Sequence, residues 1–85
     1  MSNTKMRAKV QVGAVITVQG GEAEVLHFHG VAKNSAYPAD GSDEDNTFAK
    51  FSPSINLQLQ LANPNLIGKF QPGDTFYLDF SPVEK

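Results

Sequence analysis

The sequence predicts an all-β protein, a small antiparallel barrel or sandwich of four to five strands with one short helical turn and one long acidic loop. Three observations carry that expectation. Apolar residues alternate with other, mostly polar, residues from Met6 to Val18, and again from Ile55 to Leu61. Glycine and proline clusters punctuate the chain between these runs. A closing run, Thr75 to Ser81, sends Phe76, Leu78 and Phe80 one way and Tyr77 and Asp79 the other. Period-two alternation is the mark of a strand with one face on a core and one in water.

In the first run the even positions, from Met6 through Val10 and Val12 to Val18, form the apolar face, and Gly13 predicts a bend or bulge. Gln19-Gly20-Gly21-Glu22 reads as a tight turn, since paired glycines supply positive φ angles. The return strand, Ala23 to Ala32, places Val25 and Val31 on one parity and Leu26 and Phe28 on the other. Either a bulge shifts its register or both faces are partly covered.

Residues 33–53 read as a loop or arm, rich in turn formers and acids. Connections beyond about 12–15 residues are uncommon in compact domains and tend to be functional or mobile. The alternating strand of Ile55, Leu57, Leu59 and Leu61 follows. Asn63-Pro64-Asn65-Leu66-Ile67-Gly68 then predicts a helical turn, with Asn as cap, Pro at the first position and Gly at the exit. Gln71-Pro72-Gly73-Asp74 predicts a type II turn.

With 85 residues the chain is read as one β domain, 1–85. A core this small supplies little stability beyond the entropy cost of folding, so such domains often lean on a disulfide, a metal or a second subunit. There is no cysteine, which excludes disulfides and thiolate zinc sites and favours self-association. The polar, basic start MSNTKMRAK carries no signal-peptide pattern, and no run of roughly 18 apolar residues offers a membrane helix. A formal net charge of -2 counts against a nucleic-acid binder.

The candidate site is the loop and the strand that complements it. Asp43, Glu44 and Asp45 make an acidic cluster, followed by Phe48 and Phe51. Lys5, Arg7 and Lys9 line the polar face of the first strand as its basic stripe. One reading is an interface between copies, with the acids orienting the loop on a neighbour's stripe and the two phenylalanines as anchors. The plain alternative returns both rings to the chain's own core. A different reading has Lys5, Arg7 and Lys9 hold the phosphates of a small nucleotide while Tyr77 stacks on its base. The acids do not follow calcium-loop spacing. His27 and His29 face the same way on a strand but lack a third ligand, so neither metal nor cofactor is expected. No nucleophile elbow, phosphate loop or zinc-protease motif is present, and a triad of Ser52, His27 and Asp79 is one that any chain of this size permits. The chain reads as a non-enzyme.

Three segments, GSDEDNTFAKFSPS, LANPNLIGKF and FQPGDTFYLDFSP, together resemble small tailed-bacteriophage proteins. Those proteins share an acidic S-x-D-N-x-F-x-K-x-[ST]-P segment and a closing P-G-x-x-[FY]-Y-x-D-F-[ST]-P strand. The resemblance spans roughly Lys5 to Pro82 and implies a phage origin without implying a reaction. It leads to the expectation of a virion accessory or cement subunit, a homo-oligomer that binds other phage structural proteins, in the virion or the host cytoplasm. Two alternatives stand beside it: an anti-defence protein that sequesters a host nucleotide signal, and a single-stranded nucleic-acid-binding OB-like module.

Overall fold

Alternation beginning at Met6 yields the longest strand, β1 (Met6–Thr17), which runs through the middle of the molecule. In the computed structural model, which describes residues 5–84, three more strands join it: β2 (Glu24–Gly30), β3 (Asn56–Leu61) and β4 (Thr75–Phe80). The expected domain of 1–85 therefore has its two extreme ends, 1–4 and 85, outside the described residues. The four strands form one antiparallel sheet in the order β3-β2-β1-β4. The all-β expectation holds, with four strands and no helix among the described residues. The sheet does not close on itself: β3 and β4 are its edges.

Gly13 is where the register of β1 against β2 shifts, between Val12 and Ala14. The bulge switches the inward parity, so Ala8, Val10 and Val12 face the core before it and Val15, opposite Leu26, faces it after. Gly13 is also the space that His29 occupies, since a Cβ there would lie 3.0 Å from the imidazole Nδ1. In the β1–β2 turn Gly20 and Gly21 take φ of 95° and 74°, and the Gly21 N–H donates to the Val18 carbonyl at 2.9 Å.

Cross-strand partners share a face, so the register sorts the side chains. One face carries Ala8, Val10, Val12, Leu26, Phe28 and Leu61, the buried core. The two parities of β2 are thereby explained: Leu26 and Phe28 face the core, while Val25 lies on the other side, partly covered. That opposite face carries Arg7, Lys9, Gln11, Tyr77, Asp79 and both histidines, and it is the wet side that an antiparallel sheet tolerates.

β3 and β4 lie at opposite edges, so the chain between them must cross the core face. Ile67 and Phe70 of this crossover pack on the core. The buried Glu24 carboxylate holds it there by accepting the Gly68 N–H at 3.2 Å. The predicted helical turn at Asn63–Gly68 is a single turn, with Leu66 and Ile67 N–H both donating to the Asn63 carbonyl, and it stops short of a helix. The Pro72-Gly73 turn forms as expected: Gly73 has φ 98°, and the Asp74 N–H donates to the Gln71 carbonyl at 3.1 Å.

One sheet under one crossover makes a thin object, 49 × 36 × 16 Å, with a radius of gyration of 15.2 Å. A compact chain of this length has a radius of gyration of about 12 Å.

Candidate interaction surface

β2 ends at Gly30, opposite Val10, so the next backbone groups of β1 on that side have no strand to meet. The acidic loop meets them. The Lys9 carbonyl accepts from the Val31 N–H, the Lys9 N–H donates to Asn46 Oδ1 at 2.8 Å, and Arg7 exchanges bonds with Thr47 in both directions. The loop therefore lies against its own chain as a substitute for a strand, which satisfies the rule that buried backbone groups find partners.

Asp43 organises the loop from within. It is 4% exposed, and its Oδ1 accepts the N–H groups of Asp45 and Asn46, while Oδ2 accepts Asn46 Nδ2 at 3.1 Å and the Tyr37 hydroxyl at 3.3 Å. Burial alone raises the pKa of this carboxyl. The bonds from the Asn46 side chain and from backbone N–H groups outweigh burial and hold it below the usual carboxylate range. Asn46, fully buried, spends its remaining amide proton on the Val31 carbonyl at 2.8 Å.

The other two acids of the cluster also find partners within the chain. Glu44 meets Lys33 at 3.1 Å, and Lys33 in turn lies 5.9 Å from the centre of the Tyr37 ring. Asp45 reaches the wet face of the sheet, where it lies 3.6 Å from Lys9 Nζ and accepts the Tyr77 hydroxyl at 2.9 Å. That bond, with the charge of Asp45, raises the Tyr77 phenol above its ordinary pKa. Arg7 is bound in a fork to Asp79, at 2.7 and 3.2 Å, and its guanidinium sits 4.3 Å over the Tyr77 ring. The bond to Arg7 pulls the Asp79 pKa down.

The structure thus brings acidic cluster and basic stripe together inside one chain: Asp45 on Lys9, with Arg7 and Tyr77 beside them. Of the three basic residues, Lys5 stands apart, exposed, at the rim of a shallow cleft of about 420 Å³ that it shares with Arg7, Glu44 and Asp79. The cleft mixes both signs of charge, and the Tyr77 face that a base would need is partly covered by Arg7.

Neither Phe48 nor Phe51 joins the sheet's core. Phe51 folds back on the loop, its ring against Gly41 and edge-on to Tyr37 at 5.8 Å between centroids. It holds φ of 62°, an unusual angle for a phenylalanine, fixed by its N–H donating to the Gly41 carbonyl at 2.7 Å. Both rings keep much of their surface in water, Phe48 at 37% and Phe51 at 50% exposed. His29 Nε2 lies 3.1 Å from Gln11 Oε1, and among the described residues no three acids or histidines gather as metal ligands. No helix among the described residues is long and apolar enough to cross a membrane.

Sequence reasoning passed over Asn46 and Asp43 as fastenings of the loop, although an Asp three residues before an Asn is a local side-chain-to-backbone pattern. It also passed over the surface that the thin fold leaves open. On the core-side face of β4, Phe76 and Phe80 are 38% and 46% exposed, and Leu59 on β3 is 41% exposed. Comparison with protein-family models, curated proteins and solved structures gives no match.

Proposed function

We propose that this chain is a non-enzymatic, self-associating structural protein, and that it serves a phage particle as an accessory or cement subunit. The virion assignment rests on the resemblance of its three segments to small phage proteins. The self-association rests on surface area. A folded monomer of 9.2 kDa exposes roughly 4,900 Å², whereas this chain exposes 6104 Å². The surplus exceeds the roughly 800 Å² per partner that a standard interface covers. Phe76, Phe80 and Leu59 lie within the exposed surface, on the side of the sheet that carries the core.

The acidic loop has a defined part in this reading. Its three clustered acids are bound within the chain, so it stiffens the subunit and leaves Phe48 and Phe51 partly exposed on its surface. Weak contacts repeated over a particle lattice add through multivalency.

Sedimentation over a range of concentrations, followed by counting copies of this chain per major capsid subunit in purified particles, tests the two halves. A concentration-dependent oligomer and a fixed high copy number are expected. A strict monomer that is absent from particles would overturn the proposal.

A further inference from the structure

The geometry points to β4 as the contact between copies: its free edge pairs antiparallel with the β4 edge of a second copy of this chain, about a two-fold axis through Leu78, to give a continuous eight-stranded sheet. This rests on the self-association proposed above and adds where it occurs and in what register.

The backbone supplies the first argument. On β1, the N–H and C=O groups of Arg7 and Lys9 point toward the loop and β2. Strand alternation then turns those of Ala8 and Val10 toward β4, where they face Leu78 and Phe76. The groups of Tyr77 and Asp79 must consequently point outward, along an edge with no strand beyond it among the described residues. All of β4 except Leu78 is exposed, and no proline, lysine or bulge guards Thr75–Phe80. Native proteins block an edge of that kind unless it is used.

Register supplies the second argument, because only one alignment satisfies both faces. With Leu78 on the axis, Tyr77 and Asp79 of one copy exchange backbone bonds with Asp79 and Tyr77 of the other. On the core-side face, Phe76 then meets Phe80 of the second copy. The row from β1 to β1 runs Val10, Phe76, Phe80, Met6, without a polar residue. On the wet face it runs Lys9, Tyr77, Asp79, Arg7, so that no two like charges stand opposite. Centring on Asp79 instead sets two carboxylates against each other, and centring on Tyr77 sets Phe80 against Asp74.

The chain has no cysteine, so single cysteines introduced at chosen positions read the register directly. Leu78→Cys is expected to form a disulfide dimer under mild oxidation. Leu78 is half-buried, and the exposed pair Phe76→Cys and Phe80→Cys provides an independent reading. Each alone is expected to remain uncrosslinked, and an equal mixture of the two to give a mixed disulfide as its main product. If the wild-type chain sediments as an oligomer while neither Leu78→Cys nor the mixture crosslinks, the β4 pairing is overturned and self-association stands. If the wild-type chain is monomeric up to millimolar concentration, both fail.

Discussion

Asn46 Oδ1 accepts the Lys9 backbone N–H at 2.8 Å, so that a loop side chain takes over from β2 where that strand ends. The same amide donates to the Val31 carbonyl and to Asp43, so one side chain ties together β1, the exit of β2 and the acidic turn. Replacing it with alanine leaves a main-chain donor and a main-chain acceptor unsatisfied in a partly buried place. The cost of one such orphan is about 1–3 kcal/mol. Asn46→Ala is therefore expected to lower unfolding stability by about 3 kcal/mol, measured by urea denaturation. A loss below about 0.5 kcal/mol would mean that the loop does not complete the sheet.

Gly41 and Phe51 are coupled through space. A Cβ on Gly41 would lie 2.5 Å from the Phe51 ring, and Gly41 already holds φ of 74°. Gly41→Ala suffers from both, the clash and the left-handed backbone. Phe51→Ala removes the ring and hence only the clash. In a double-mutant cycle Gly41→Ala is expected to cost at least about 1 kcal/mol less in the Phe51→Ala background, and still to cost about 1 kcal/mol there. Additive losses would place the Phe51 ring elsewhere.

The acid limb of stability is expected to come from carboxylates held below the ordinary aspartate range when folded: Asp43, Asp40 and Asp79. Asp40 owes its shift first to the Ser42 backbone N–H, and Asp79 to Arg7. A depressed folded pKa contributes stability that is complete above the unfolded value and lost as pH falls through the folded one. Tyr37 and Tyr77 are raised above 10.0, Tyr37 mainly by burial and Tyr77 by Asp45. Their contribution is present below that value and lost as pH climbs past it. Thermal melts are expected to show a plateau from about pH 5 to 9 with a falling limb on each side. Asp43→Asn is expected to lower the plateau and flatten the acid limb, and an acid limb parallel to that of the wild type would exclude Asp43 as its source.

Strands and turns were legible in the sequence because each depends on a pattern a few residues long. The alternation in β1, the bulge glycine at Gly13 and the Pro72-Gly73 turn are local signals that the fold keeps. The even-parity rule for β1 failed only past the bulge, where Ile16 turns outward at 52% exposure and Val15 inward. The loop was legible as an acidic excursion but not in its destination, because Asn46 and Lys9 are 37 residues apart and no local rule pairs them. The apolar parity of β4 was equally plain, yet its exposure follows from strand order, which sets β4 at an edge.

Whether this surface binds a nucleotide turns on how much positive charge is left to hold phosphate. Arg7 is committed to Asp79, and Lys9 to Asp45, with each member of the second pair only 16% exposed. Bringing a phosphate to them requires breaking those pairs or crowding it against two carboxylates, and Glu44 lines the same cleft. Calorimetry of the wild-type chain against cyclic dinucleotides and ADP-ribose derivatives is therefore expected to give no saturable heat. Asp45→Ala is expected to cost on the order of 1 kcal/mol of stability, since it removes a mostly buried ion pair and the Tyr77 hydroxyl bond together. Tight binding by the wild type, abolished by Lys5→Ala or Arg7→Ala, would mean that the carboxylates yield to phosphate, and the structural role would give way to sequestration of a nucleotide.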